Sequence, residues 1–231
     1  MHWLAQRPSG DSLRTMNARD NILGRIRAAL GRSRPLTDSE AAPLRAILRE
    51  NRRGPLPSMN WEPVSRFRER CVSLSSTVED IADVQQIPAA AKRYLASNRL
   101  PSACVCSPQF AGLDWAGVEL AVEIRPSTGQ DAVGITGTYC AIAETGTLML
   151  LSGPSNSMKN SLLPETHIAV VSASRILRCM EEGWDLLRKE HGPLPRQVAF
   201  VSGPSRTADI EMTLVIGIHG PYRVHVILVG A

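Results

Sequence analysis

The chain has 231 residues, 43% of them hydrophobic, and a formal net charge of +4. That is enough for one globular domain with a sizeable core, or one domain with a small helical appendage. No stretch approaches the roughly 18 consecutive apolar residues of a bilayer span, and the opening MHWLAQRPSGDSLRT lacks the apolar segment of a secretory signal, so a cytoplasmic address is expected.

The first element is a helix near residues 17 to 30, with Asn17 as N-cap, an apolar stripe of Ile22, Leu23, Ile26, Ala29 and Leu30, and Gly31 as its end. Much of the basic excess lies in this region, from Arg14 to Arg53. These arginines alternate with apolar residues and lack an aromatic stacking series, which favours a solvated or subunit-contacting face over nucleic acid. Residues 32 to 60 carry Pro35, Pro43, Pro55 and Pro57 and read as an extended connector with one short helix around Leu44 to Glu50.

From about residue 61 the pattern becomes α/β. Val78 to Ala96 reads as a helix interrupted at Pro88, SACVCS as a short buried strand, and Leu120 to Ile124 as another. Val133 to Leu151 holds two or three strands, and His167 to Val171 one more. Ser174 to Lys189 reads as a helix with Ile176, Leu177, Met180, Trp184 and Leu187 toward the core, and Gln197 to Ser202 and Arg223 to Val229 close the fold. Such alternation implies an open, mostly parallel sheet with flanking helices and with loops at the strand C-termini free for ligands. Neither GxGxxG after a first strand nor GxxxxGK[ST] occurs, so both familiar nucleotide motifs are lacking.

Five cysteines (Cys71, Cys104, Cys106, Cys140, Cys179) are scattered without a disulfide spacing. Cys104 and Cys106 share a strand face, but no second Cys/His pair completes a tetrahedral set, so they read as buried thiols and neither iron–sulfur cluster nor metal is expected on the chain.

The densest polar group interrupts the apolar run at Ala143-Glu144-Thr145-Gly146-Thr147. A carboxylate between Ile142, Ala143 and a Thr-Gly-Thr turn is partly desolvated, which suits a general base or an organised acceptor of hydrogen bonds; capping of backbone amides or pairing with an arginine is the competing structural role. Thr136, Gly137, Thr138, Thr145, Gly146 and Thr147 offer hydroxyls and open backbone N–H groups for a small carboxylate or phosphate, although turn chemistry alone would also select them. In the block Ser202 to Glu211, Ser205 or Thr207 is placed to cap a helix start where Arg206 could hold an anion, with Asp209 and Glu211 competing for that positive end; Ile210, Leu214 and Ile218 recur at helical steps behind it. His219 in the loop before the last strand could shuttle protons or bind a carboxylate, and His167 occupies a similar strand entrance, with a hydrogen-bonded structural role as the alternative for each.

The strings VGITGTYCAIAETGTLMLLSG, SLLPETHIAVV and SGPSRTADIEMTLVIGIHGPYRVHVILVG together resemble the LUD domain, in particular the lactate-utilisation protein C family, over roughly residues 61 to 231. The helix ARDNILGRIRAALGR is similar to that family's N-terminus, which makes residues 1 to 15 an expected disordered extension and leaves Met1 or Met16 as the start. The resemblance implies a fold like that of the sugar-phosphate isomerase and CoA-transferase group. It also implies a role in bacterial oxidation of L-lactate to pyruvate, as the cluster-free subunit beside two iron–sulfur partner proteins. The alternative is an independent small-molecule enzyme of the CoA-transferase or cyclo-ligase type using Glu144, with His219 as the second catalytic candidate.

Overall fold

The computed structural model of the chain describes residues 18–31, 34–50, 53–207 and 215–231. It divides into two compact units, Met1–Leu56 and Pro57–Ala231. Asn17, the extension at 1 to 15, Asp209 and the helical run through Ile210 and Leu214 lie outside the described residues.

The first unit contains α1 (Ala18–Ala29) and α2 (Asp38–Glu50). Gly31, at φ +65°, closes α1 in a left-handed conformation that a glycine adopts without a Cβ penalty. The connector expected to be extended contains helix α2, which starts six residues earlier than expected, at Asp38, because Thr37 and Glu40 form a capping box, the Thr37 amide donating to Glu40 Oε2 at 2.8 Å and the Glu40 amide to Thr37 Oγ1 at 3.4 Å.

 The expected helix from Leu44 thus gains Asp38 to Pro43 at its front, and Pro43 is tolerated inside it. Neither α1 nor α2 buries a residue.

The second unit opens with α3 (Pro63–Ser73), a helix the hydrophobic pattern alone did not suggest. Its N-cap is Glu62, whose carboxylate accepts from the amides of Val64 and Ser65 at 2.9 and 2.7 Å, with Pro63 in the first turn. The strands and helices then follow as β1 (Thr77–Ile81), α4 (Ile87–Ser97), β2 (Ala103–Cys106), β3 (Ala121–Ile124), β4 (Val133–Gly137), β5 (Cys140–Ile142), β6 (Thr147–Leu151), α5 (Lys159–Leu162), β7 (Thr166–Ser172), β8 (Ile176–Leu177), α6 (Met180–Glu190), β9 (Val198–Val201), β10 (Arg206–Thr207), β11 (Val215–Ile216) and β12 (Arg223–Val229).

A six-stranded sheet runs β1-β12-β7-β4-β2-β3, and every pairing in it is parallel. A second sheet, β8-β5-β6-β9, mixes one parallel with two antiparallel pairings. The open α/β architecture expected from the sequence is therefore present, with a smaller sheet added. One face of the parallel sheet packs Ile135, Ile168 and Ile227 against Ile87, Ala91 and Leu95 of α4. Its other face packs Ala169, Val226 and Leu228 against Ala141, Leu148 and Leu150 of the small sheet and Phe67 of α3. The far side of the small sheet, with Ile142 and Met149, meets Leu187 of α6. Each fully buried aliphatic side chain contributes about 1.5–3 kcal/mol, so sheets covered on both faces carry most of the stability. This double coverage also explains why their strands read as continuous apolar runs.

Three helical expectations need correction. Val78 to Ala96 is not one helix: its front half is β1, paired with β12, and α4 starts only at Ile87 with Pro88 in its first turn. A capping box between Asp83 and Gln86 marks the change. The helix expected from Ser174 starts at Met180, because Ile176 and Leu177 instead pair as β8 with Ala141 and Ile142. The helix expected beyond Ser205 is replaced at both described ends by a two-stranded antiparallel ladder of β10 and β11, which holds Ile216 extended and leaves Ile218 in the following loop. In all three, strand pairing overrides a helical spacing of apolar residues.

From β2 the chain steps outward to β3 and then returns to place β4 on the opposite side of β2. Such a reversal opens a crevice at the C-terminal ends of the two strands, the usual place for a ligand in an open parallel sheet.

Candidate functional site

The sequence-derived site residues fall into three places. Thr145, Gly146 and Thr147 form the β5–β6 turn, where Thr145 Oγ1 and Thr147 Oγ1 lie 2.7 Å apart and Thr147 Oγ1 lies 2.7 Å from Ser202 Oγ after β9. Gly146, at φ +66°, presses on the last turn of α3, so a Cβ there would stand 2.8 Å from that of Arg70. Nearby, Arg206 Nη2 donates to Leu74 O at 3.2 Å and to Ser75 Oγ at 2.6 Å, and Gly203 packs on Leu74. Because Leu74 and Ser75 immediately precede β1, this group sits at the N-terminal end of the parallel sheet. Glu144 leads into the turn with its amide bonded to Arg178 O at 3.0 Å. Its carboxylate is half-buried and takes no hydrogen bond or ion pair among the described residues.

Ser205 belongs to the adjoining loop, donating its amide to Pro221 O and accepting from the Gly217 amide, both at 2.9 Å. It caps no helix, and Thr207 is part of β10 rather than a helix start. His219 is exposed in the loop between β11 and β12, and no hydrogen bond or ion pair among the described residues joins it to Glu144.

Thr136 and His167 occupy a second place, inside the core. They face each other from neighbouring strands, with Thr136 Oγ1 and His167 Nε2 2.8 Å apart, and His167 has no exposed surface. Burial pushes the imidazole down to about 4, so it is neutral at physiological pH. Its Nδ1 has no hydrogen-bond partner among the described residues. That position, within β7 and without exposed surface, suits a structural histidine.

The third place is the crevice at the C-terminal ends of β2 and β4, and among the described residues proposed for a ligand only Thr138 lines it. Its larger lobe, about 650 Å³, is bounded by Gln109, Thr138, Tyr139, Asn156, Arg175 and His191, with Pro193, Leu194 and Pro195 as one wall. A second lobe of about 470 Å³ is lined by Arg125, Met158 and Lys159, and the two share Ser152, Gly153, Pro154 and Asn156. The Thr138 amide continues the sheet ladder to Val170 O at 3.0 Å, whereas its buried Oγ1 has no hydrogen-bond partner among the described residues. Gly137 lacks the Cβ that would overlap the Gln109 amide, which therefore lies directly over the end of β4.

Arg175, in the turn after β7, braces the larger lobe. Its Nη1 and Nη2 form a bidentate pair with Glu190 at 2.7 and 2.9 Å, and its Nε donates to Tyr139 O at 3.0 Å. The guanidinium also lies over the Tyr139 ring at 4.8 Å, and Tyr139 Oη donates to Glu190 Oε2 at 2.8 Å. Arg175, then Tyr139, holds the Glu190 carboxyl down at about 2. Desolvation, then Glu190, pushes the Tyr139 phenol up to about 12. His191 meets Tyr139 edge-on, with ring centroids 5.6 Å apart. The result is a rigid, nearly charge-balanced wall that can orient a ligand without itself supplying a reactive group.

Gln109, Tyr139, Asn156, Lys159, Arg175 and His191 did not stand out in the sequence. A usable signal was present: Gln109, Tyr139 and Arg175 each fall within three residues after β2, β4 or β7, where parallel strands present their loops. The five cysteines are all free and buried; desolvation raises Cys71, Cys104 and Cys106 to about 12 and Cys140 to about 11, so they are not poised as nucleophiles. No group of His, Cys, Asp and Glu among the described residues could hold a metal ion, and no described helix is long and apolar enough to cross a membrane.

Comparison with known proteins places this geometry in context. Lactate utilization protein C of Bacillus subtilis (strain 168) is 41% identical over 103 residues, 43% of each chain. Lactate utilization protein C 1 of Bacillus mycoides (strain KBAB4) is 42% identical over 100 residues, 42% of this chain and 43% of that protein. The matched segment thus spans less than half the length of these curated relatives. The crystal structure of a duf162 family protein from Deinococcus radiodurans has a TM-score of 0.54 at 25% identity, covering 75% of this chain and 100% of that one. The LUD domain family model matches residues 107–229, the segment that holds every residue named above as lining the crevice, and the chain belongs to the LUD-domain family.

Proposed function

We propose that this protein is a component of a bacterial L-lactate utilisation system, acting in the oxidation of L-lactate to pyruvate as a cluster-free subunit beside two iron–sulfur proteins. The observation that carries the reading is the likeness to proteins named lactate utilization protein C within the LUD segment that builds the crevice. In this reading the chain holds no cofactor of its own, and the crevice between β2 and β4 is its ligand site. Arg175 and Glu190 keep Tyr139 in place, while the Gln109 amide offers hydrogen bonds to the occupant.

A second reading makes the chain an independent enzyme using Glu144, and its support is the half-buried, unpaired carboxylate at the β5–β6 turn. One experiment separates the two. A strain lacking the gene is grown on L-lactate after receiving the wild-type gene, Glu144→Gln or Arg175→Ala, and the tagged protein is purified from each culture. Subunit action predicts that wild type and Glu144→Gln restore growth and retain two iron–sulfur proteins, whereas Arg175→Ala restores growth poorly. Undiminished growth of the deletion strain on L-lactate sinks the lactate role; turnover by the isolated chain that Glu144→Gln abolishes establishes the enzyme.

A further inference from the structure

We infer that the crevice is built for an elongated organic acid with an apolar body and a single anionic group, a ligand considerably larger than lactate. The inference deepens the proposed function and rests on its assignment of the crevice as the ligand site. Size is the first argument. Lobes of about 650 and 470 Å³ each fall within the roughly 300–1,000 Å³ range of pockets that bury drug-sized molecules, and a three-carbon hydroxy acid would leave most of either lobe to water.

Charge is the second argument. Arg125 lines the smaller lobe but is held by Asp131 at 2.7 Å and by Glu123 at 2.7 Å. Arg175 is likewise held by Glu190. Lys159 alone among the lining lysine and arginine side chains has no ion pair among the described residues, so the crevice supplies one uncompensated ammonium, on the exposed lining of the smaller lobe. One point charge matches one acidic group and leaves a polyphosphate largely unneutralised. In the adjoining larger lobe Pro193, Leu194 and Pro195 offer apolar contact, and Leu194 is 61% exposed.

Anilinonaphthalene sulfonate, an apolar body with one anionic group, is the probe. Calorimetric titration of the full chain is expected to give one site, weakened about tenfold by Lys159→Ala through loss of a charge-assisted contact and about tenfold by Leu194→Asp through an acid placed on the apolar wall. Ile26→Ser, on α1 and outside the crevice, should leave the affinity unchanged. Both crevice residues are exposed, and a melting temperature equal to wild type checks folding of each variant. The inference is overturned if either crevice variant binds the dye as wild type does, if Ile26→Ser abolishes binding, or if ADP or L-lactate displaces the dye at concentrations comparable to its own. Failure of the wild-type gene to support growth on L-lactate would remove the lactate role and leave the dye pattern intact, so the two readings fail separately.

Discussion

At the scale of single residues, the buried histidines set an acid limit on stability. Burial lowers both His167 and His225 to about 4 from an ordinary 6.5. Above pH 6.5 each is neutral in the folded and unfolded chain, and its contribution is fully present. Between 6.5 and about 4 only the unfolded chain takes up the proton, so stability falls with pH by up to about 1.4 kcal/mol per unit for each histidine. Glu190 and Asp131, whose carboxyls lie below their ordinary values, lose their contribution at lower pH still. His225 faces Thr77 at 2.8 Å, stacks on Tyr94 at 3.9 Å and has Glu79 3.9 Å from Nε2, so a carboxylate is at hand for its charge. Among the described residues His167 has only the Thr136 hydroxyl as a side-chain partner. With both imidazoles lowered to about 4, urea titrations at pH 7 and pH 5 should show that His167→Gln and His225→Gln remove comparable shares of the acid loss; an unchanged pH slope in His167→Gln would refute the neutral buried imidazole. Residue identity alone did not disclose this environment, since a histidine at a strand entrance reads the same whether its ring turns into the core or toward solvent. Glu144 was the opposite case: its flanking Ile142, Ala143 and Thr-Gly-Thr turn gave away its partial burial, while its separation from the crevice depended on how β5 folds back over the parallel sheet.

At the scale of elements, glycines reveal where two pieces of backbone must meet. Gly134 in β4 lies under α5, where a Cβ would overlap the carbonyl of Asn160 and stand 2.9 Å from Pro164. Backbone cannot swing aside, so Gly134→Ala is expected to lose roughly 2–4 kcal/mol of unfolding free energy. Gly137, three residues further along, meets only the end of the Gln109 side chain. Gly137→Ala should cost less than about 1 kcal/mol in the same denaturation series, because Gln109 can rotate away; its effect belongs in ligand binding instead. Equal losses for the two would contradict this difference between backbone and side-chain contacts. The central strands were legible as elements because burial on both faces writes uninterrupted apolar runs into SACVCS, GITG and HIAVV. β1 and β8 were not, because Val78, Ile81, Ile176 and Leu177 fit a helical spacing as well as a strand, and only their parallel partners in β12 and β5 decide between them. For α2, the TDSE capping box was a readable start that the surrounding prolines obscured.

At the scale of the whole molecule, stability should reside in Pro57–Ala231. That unit contains all three hydrophobic clusters, whereas α1 and α2 bury no residue and leave Ile22, Ile26, Ile47 and Leu48 exposed. Helices of 12 and 13 residues gain little stability from propensity alone, since isolated helices of that length are marginal in water. Deleting the first 56 residues should consequently leave the thermal midpoint within about 2 °C of the full chain, because removing surface that is already hydrated changes little between the folded and unfolded states. A differential scanning calorimetry comparison checks it. A drop of about 8 °C or more in the shortened chain would mean that the N-terminal helices contribute core contacts, and their exposed isoleucines and leucines would then have to be read as packing surface rather than as solvent-facing residues.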